Sequence, residues 1–294
     1  MQVDLWGNPV VRRTSYWVFH DESMSMPNRR WLLIGLLFVR AEHLEQARGL
    51  LYTCRKQGNY YGEIHFSALP KRFEGRYGAK ARVARRWLQG YEQGLSEIAR
   101  FTALAVDRHS PAFEHNRFAK EYLAYNRFTA MALKAGIRWF LGPEDWDSVT
   151  ITFVSDAKDR MSRPEQGWTD NFETYLPYRA ELDAFLSREE GKPYPGVSLQ
   201  LQLQDSAACD LLQLCDVLLG ATQMALVAGS HQPTKRELGA VVVRWCRDLQ
   251  ETRWKQQFGL YRKFNLWGFP DKKDATYSPV PLQLQVGTNH PTLF

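Results

Sequence analysis

Four acidic residues stand at positions where an acid is unusual. Asp21 and Asp156 each follow a run of β-branched and aromatic residues that predicts a strand, so both are expected at a strand exit. Glu63 lies on a short segment that alternates polar and apolar residues, and Asp216 lies in the most apolar part of a predicted helix. Catalytic groups gather at strand ends, and a buried carboxylate requires a partner. These positions predict one site built from acids.

Carboxylates from separate elements suit a hard divalent cation. Mg²⁺ takes oxygen ligands and keeps several waters, so Asp21, Glu63, Asp156 and Asp216 could hold one or two Mg²⁺ or Mn²⁺ ions beside a phosphate. Two such ions about 3.5 to 4 Å apart activate a water and stabilise the leaving oxygen of a phosphodiester. The acids therefore predict metal-dependent phosphodiester hydrolysis.

Each acid also has a structural interpretation. Asp21 suits a solvated turn, Glu63 an exposed strand and Asp156 a helix cap, while Asp216 could be satisfied by core hydrogen bonds. Both interpretations stay open at this level.

Neighbouring residues compete for the same roles. Asp159 is an alternative to Asp156, and Glu22 is a reserve ligand. His20 and His65 are interpreted as hydrogen-bonded structural residues rather than as catalytic ones, because a histidine beside a strand usually has that role.

Strand and helix patterns alternate along the chain, which predicts an α/β protein. Strands are predicted at 16–20, 31–39, 101–106, 148–155 and 197–203, the last at a sheet edge. Helices are predicted at 41–56, 116–139, 172–190 and 207–228. Asp205 and Ser206 are interpreted as the N-cap of the last of these helices.

Length and composition predict one folded domain. The 294 residues, 44% of them hydrophobic, can fill a sizeable core, and no linker or repeat divides them. We expect a single domain over residues 1–270 and an irregular C-terminal extension over 271–294. The first residues do not resemble a signal peptide, and the longest apolar stretch, 217–229, is too short for a membrane span. The four cysteines show no metal-binding spacing and fit a reducing, cytoplasmic setting.

The charge predicts an anionic partner. The net charge is +6, and the most basic stretch, 71–86, interleaves cations with aromatic residues, which suits the backbone and bases of nucleic acid. Its cations are Lys71, Arg72, Arg76, Lys80, Arg82, Arg85 and Arg86, which we call the basic patch. The alternative is an ordinary solvated helix face.

The motifs around the acids resemble the family catalogued as domain of unknown function 3800, which belongs with the ribonuclease H-like fold. The resemblance rests on FHDES at 19–23, EIHFS at 63–67, the strand that ends at Asp156, DS at 205–206 and LLQLCDVLLGA at 211–221. It implies a mixed sheet flanked by helices, with helical additions at the C-terminus.

The resemblance also implies that Asp21, Glu63, Asp156 and Asp216 are the metal-binding carboxylates of a nuclease-like site. Two departures affect its loops. Met24 stands where the family usually has glycine, and His65 stands where it usually has lysine.

The leading hypothesis is a Mg²⁺- or Mn²⁺-dependent nuclease. One alternative is a non-catalytic subunit of a defence or mobile-element system that binds nucleic acid or protein. Another is a phosphohydrolase of small nucleotides. A protein partner or a homo-oligomer is compatible with each.

Overall fold

The computed structural model describes residues 11–23, 30–113, 118, 121–156, 170–227, 230–252, 262–269 and 280–281. The strands in these ranges are β1 Arg13–Ser23, β2 Trp31–Arg40, β3 Ala99–Asp107, β4 Ser148–Asp156, β5 Gly196–Gln204, β6 Phe264–Gly268 and β7 Val280–Pro281. The α-helices are α1 Leu44–Gly58, α2 Ala79–Gln93, α3 Glu121–Gly136, α4 Phe172–Glu189, α5 Asp210–Leu226 and α6 Pro233–Thr252.

The strands form one mixed sheet in the order β5-β4-β1-β2-β3-β6-β7. β1, β2 and β3 pair antiparallel in sequence, whereas β4 and β5 add parallel strands on the other side of β1. A mixed sheet flanked by helices is the α/β architecture that was predicted. The fold class is therefore confirmed.

Helices cover both faces of the sheet. One core packs α1, α2, α5 and α6 on one face, and a second core packs α3 and α4 on the other. Strand β2 requires helices on both faces of the sheet. It is buried along nearly its whole length and has no polar face that could be exposed to water. We call the two faces the α5 face and the α3 face.

Several boundaries differ from those that the sequence predicted. β1 continues through Asp21 to Ser23 because its pairing with β2 extends two residues beyond the predicted strand exit. The predicted helix 116–139 begins only at Glu121 among the described residues and ends in a π turn at Ile137–Leu141.

The C-terminal region adds both a helix and sheet. α6 confirms the predicted helical addition. β6 was not predicted; it pairs in parallel with β3 and lengthens the sheet. Within the predicted irregular extension 271–294, Val280 and Pro281 pair with β6, and the other residues lie outside the described ranges.

Candidate active site

Asp21 and Asp156 are neighbours at the end of two parallel strands. The register between β1 and β4 pairs Phe19 with Val154 and His20 with Ser155, so Asp21 and Asp156 follow at the next position. Because side chains alternate along a strand, both acids lie on the face of Phe19 and Val154, which is the α5 face. Both acids are half-buried.

Helix α5 brings Asp216 to the same place. The fully buried thiol of Cys215 donates a hydrogen bond to the Phe19 carbonyl at 3.4 Å, which fixes the helix against β1. The pKa of Cys215 is raised well above its ordinary value, chiefly by burial and further by the negative charges of Asp21 and Asp216. Both acids therefore lie close enough to this thiol for their charges to act on it.

Two glycines allow this close approach. Gly35, the β2 partner of Asp21, has no side chain, and a Cβ there would lie 3.1 Å from a methyl carbon of Leu219 on α5. On the other side of α5, a Cβ at Gly220 would lie 2.2 Å from the ring of Phe66. A glycine inside a strand marks a close backbone approach, and here it lets the helix reach the sheet beside Asp21.

The alternating segment that carries Glu63 is not a strand, so the alternative interpretation of Glu63 as an exposed strand residue is wrong. Its backbone donors bond to side chains of α5 instead of to a sheet: the N–H of Ile64 donates to Gln213 at 2.7 Å, and the N–H of Phe66 donates to Asp216 at 2.6 Å. These bonds satisfy the backbone groups that a ladder would otherwise satisfy. The predicted alternation survives, because Ile64 and Phe66 are buried and His65 is exposed.

A buried arginine holds this segment in place. The guanidinium of Arg55 is 5% exposed, pairs in bidentate fashion with Asp210 at 2.7 to 3.0 Å and donates to Gln213 at 2.8 Å. It also donates to the carbonyls of Tyr60 and Gly62. Helices α1 and α5 are thus joined to the Glu63 segment through one charge-assisted network.

Glu63 faces the turn that precedes α5. Its carboxylate accepts a hydrogen bond from the hydroxyl of Ser206 at 3.2 Å. Asp205 caps the short 3₁₀ turn Ser206–Ala208 by accepting from the N–H of Ala207, whereas α5 itself begins after Cys209. The predicted capping role of Asp205 is confirmed for the turn but not for α5. Ser206, the other predicted cap residue, contacts the candidate metal ligand Glu63.

His65 connects Glu63 to Asp216. Its Nδ1 lies 3.2 Å from Oδ2 of Asp216 and 3.3 Å from the N–H of Ser67. The pKa of His65 is raised, first by the hydrogen bond with Asp216, with burial opposing the shift and the charge of Glu63 adding to it. A protonated Nδ1 donates to Asp216, and a deprotonated one accepts from Ser67.

The remaining candidates lie elsewhere. His20 is buried on the α3 face, where its ring contacts Tyr125, Phe153 and Phe172 and its Nδ1 lies 3.1 Å from the hydroxyl of Ser155. Glu22 lies on the same α3 face and accepts a hydrogen bond from Tyr125 at 3.4 Å. These contacts support structural roles. Asp159 lies outside the described residues.

The donor set suits a hard cation. Asp21, Glu63, Asp156 and Asp216 offer carboxylate oxygens, the ligands that Mg²⁺ and Mn²⁺ prefer. Asp216 accepts the Phe66 N–H and contacts His65 through Oδ2. As positioned, the described residues do not bring three or more acidic, histidine or cysteine side chains into one metal-binding cluster. The acids share an edge of the sheet but are not closed around one point.

The basic patch divides into two groups. Lys71, Arg72 and Arg76 are exposed on the loop before α2. Arg76 donates to the hydroxyl of Tyr77 at 2.6 Å and lies over its ring, and Tyr77 is 77% exposed. This part of the patch is open to a partner.

Three of the four basic-patch cations on α2 have partners within the protein, and the fourth is Lys80. Arg82 donates to backbone carbonyls of the preceding loop, and Arg85 pairs with Glu237 of α6 at 3.0 Å. Arg86 reaches the Gln57 side chain at 3.4 Å. These three side chains are half-buried and contribute to packing as well as to charge.

Sequence reasoning missed the residues that position the acids. Arg55 and Asp210 lie outside the quoted motifs, and Gln213 lies inside one without a sign of its role, because the partners of all three lie far away in sequence. Gly35 did carry a signal, since it interrupts an otherwise apolar strand of large residues.

No family model matches this chain, and no curated protein is similar to it. Among solved structures, the chain is similar to the ribonuclease H2 of Pyrococcus horikoshii OT3, with 10% identity, a TM-score of 0.37, and 84% of this chain and 91% of that chain covered. It is also similar to a chain of the complex of PCNA with ribonuclease HII from Archaeoglobus fulgidus, with 12% identity, a TM-score of 0.37, and 79% and 89% covered. Because both TM-scores are below 0.5, nothing about the site is inferred from them.

Two further findings bear on the setting of the protein. Within the described residues, the helices are all too short or too polar to cross a membrane. The four cysteines are free thiols.

Proposed function

We propose that this protein is a divalent-metal-dependent phosphodiester hydrolase, a nuclease, and that it belongs with the domain of unknown function 3800 family. The observation that carries the proposal is the placement of Asp21 and Asp156 side by side on parallel strands, with Asp216 of α5 on the same face. Three acids from three separate elements meet at one edge of a ribonuclease H-like sheet. An accumulation of negative charge at one edge of the sheet favours a cation-dependent function.

Asp21, Asp156, Asp216 and Glu63 would hold Mg²⁺ or Mn²⁺. When bound, such ions activate a water and stabilise charge on the leaving oxygen. The chain's own residues supply the positioning: the Arg55–Asp210–Gln213 network fixes the Glu63 segment, and Cys215 fixes α5 against β1.

The substrate class is nucleic acid. The exposed cations Lys71, Arg72 and Arg76 can neutralise phosphates, and Tyr77 beside them offers a ring for stacking. Free thiols in all four cysteines are compatible with the reducing, cytoplasmic setting that we propose.

A second candidate is a binding subunit without catalysis. It is favoured by the contacts of Asp216, whose Oδ2 already accepts the Phe66 N–H and faces His65. In this reading, Asp216 holds the loop 63–66 on α5, and the basic patch alone binds nucleic acid or a protein partner.

Cleavage assays separate the two candidates. Labelled single- and double-stranded DNA and RNA are incubated with the protein in Mg²⁺, Mn²⁺ or EDTA, and with the variants Asp21→Asn and Asp216→Asn. At position 216, asparagine keeps an oxygen that can accept the Phe66 N–H, and at both positions it removes the negative charge. We therefore expect the cleavage rate to fall more than about 100-fold, which is the upper end of the range for loss of a residue that supports a metal ligand.

The matched control is Asp145→Asn. Asp145 is 98% exposed at the opposite end of β4, and its left-handed backbone (φ 55°) suits asparagine. The control should cleave as the parent does. Divalent-independent cleavage, or full activity in Asp216→Asn, would contradict the proposed site.

A further inference from the structure

Helix α6 places a cation, Lys235, beside the acids. The sequence motifs around the acids do not include this lysine. Lys235 lies in the first turn of α6, and its ammonium donates a hydrogen bond to the carbonyl of Ser67 at 2.8 Å. The same nitrogen lies 5.7 Å from the centre of the Phe66 ring. The N–H of Phe66 bonds to Asp216, which is a candidate metal ligand. Lys235 therefore contacts a residue that is itself hydrogen-bonded to this ligand.

The start of α6 is fixed to this loop. The buried hydroxyl of Thr234 donates to the carbonyl of Pro70 at 2.6 Å. The position of the Lys235 backbone is therefore fixed by the attachment of α6 to this loop. The hydrogen bond of the flexible side chain adds to this. Burial lowers the pKa of Lys235, and the charge of Asp216 opposes that shift, so the carboxylate favours the charged ammonium.

A second lysine approaches from α2. Lys80 is half-buried in the first turn of that helix, close enough to His65 for its charge to act on the imidazole. Lys80 of α2, a member of the basic patch, and Lys235 of α6 thus come from two different helices.

We propose that Lys235 and Lys80 form a phosphate-binding subsite that holds the backbone of a nucleic-acid strand next to the acids. The proposal rests on the function proposed above and names the contacts of that same site. An ammonium has three N–H donors, and Ser67 uses one of those of Lys235, so two remain for phosphate oxygens. A cluster of acids repels a phosphodiester, and cations at its rim offset that repulsion.

Binding is measured by fluorescence anisotropy with fluorescein-labelled single-stranded DNA and RNA of the same sequence. Ca²⁺ is the divalent ion, so that the result does not depend on turnover, and gels confirm that the probes stay intact. Titrations over a range of salt compare the parent with Lys235→Gln, Lys235→Arg, Lys80→Gln and the control Lys192→Gln. Lys192 pairs with Glu190 near the start of β5, at the opposite end of the sheet.

We expect Lys235→Gln and Lys80→Gln each to reduce the log–log salt slope by about 0.7 to 0.9, the value for one released phosphate contact. Lys235→Arg should restore the slope and Lys192→Gln should leave it unchanged. A lysine that only fastens the loop would lower the melting temperature of Lys235→Gln and leave the slope as in the parent, and this result would overturn the subsite.

The outcome is separable from the proposed function. A parent that binds with the expected slope changes but does not cleave in Mg²⁺ or Mn²⁺ would contradict the nuclease and support the subsite. A parent that cleaves, with unchanged slopes in both lysine variants, would support the nuclease and overturn the subsite. A parent that binds neither probe would also overturn it.

Discussion

Asp21 and Asp156 occupy adjacent positions on two parallel strands, β1 and β4, although two strands and three α-helices of the described residues lie between them in sequence. Their carboxylates share the α5 face, and Asp216 approaches them from α5. Two like charges side by side on a sheet are destabilising unless a cation or a hydrogen bond compensates. This relationship is the basis of the predictions below.

The close contact of α5 with Phe66 predicts a sharp response to one methyl group. In Gly220→Ala the new Cβ would lie 2.2 Å from the Phe66 ring, so the ring and the loop that carries Glu63 must shift. We expect a loss of about 1–3 kcal/mol in the free energy of unfolding, as for overpacked cores. Urea denaturation measures it.

Gly49→Ala on α1 is the matched control. Nothing lies within 4 Å of a Cβ at Gly49, so the same substitution should stabilise the protein by about 0.5–1 kcal/mol through helix propensity alone. Equal effects at the two glycines would show that α5 does not pack on Phe66 as described.

The network around Arg55 predicts that removing its buried charge greatly lowers the free energy of unfolding. Arg55→Met removes the bidentate donor of Asp210 and one of the two donors to the side-chain oxygen of Gln213. Because Asp210 is 26% exposed, we expect a loss of about 2–3 kcal/mol in the free energy of unfolding, at or below the lower end for a broken buried pair. Arg48→Met, which breaks an exposed pair with Glu45, should change the stability by less than about 1 kcal/mol. A comparable loss in both variants would refute the structural role of Arg55.

The raised pKa of His65 predicts a pH-dependent contribution to stability. A raised pKa means that the folded state binds the proton more tightly, so the contribution is fully present below the ordinary histidine pKa of about 6.5 and is lost as the pH rises through the raised value. In EDTA, the stability difference between the parent and His65→Gln should therefore shrink as the pH rises. A difference that is constant or grows with pH would mean that the contact with Asp216 does not favour the protonated imidazole.

The division of the basic patch predicts two kinds of variant. Neutralising the exposed Lys71, Arg72 and Arg76 should weaken binding similarly across oligonucleotide sequences and reduce the log–log salt slope by roughly two to three units if all three contact phosphates, while the melting temperature stays constant.

Neutralising Arg82, Arg85 and Arg86 instead should lower the melting temperature, because these side chains bond to the loop before α2, to α6 and to α1. An unchanged salt slope in the exposed triple variant would make the basic patch an ordinary solvated surface.

The periodic parts of the chain could be predicted from sequence. The strands before Asp21 and Asp156 and the edge strand β5 follow local patterns of apolar residues, so the fold class and the positions of these two acids followed from them. Glu63 was predicted to lie on a segment that alternates polar and apolar residues. The alternation is real, but the backbone partners come from α5, and no local pattern reveals that.

The depth at which α5 packs could not be predicted either. It depends on the absence of side chains at Gly35 and Gly220, and each glycine has a meaning only once its partner, Leu219 or Phe66, is known. The position of Lys235 could not be predicted for the same reason, because its neighbour Ser67 is distant in sequence.

A crystal structure of the protein grown with Mn²⁺ tests the central claim most directly, because the anomalous signal locates the metal independently of any assumption about the site. The account predicts anomalous peaks at the edge of the sheet, contacted by Asp21, Asp156 and Asp216, with Glu63 drawn in, and their loss in Asp21→Asn. Crystals that show Mn²⁺ only at other positions, or no peak near these acids under saturating Mn²⁺, would contradict it.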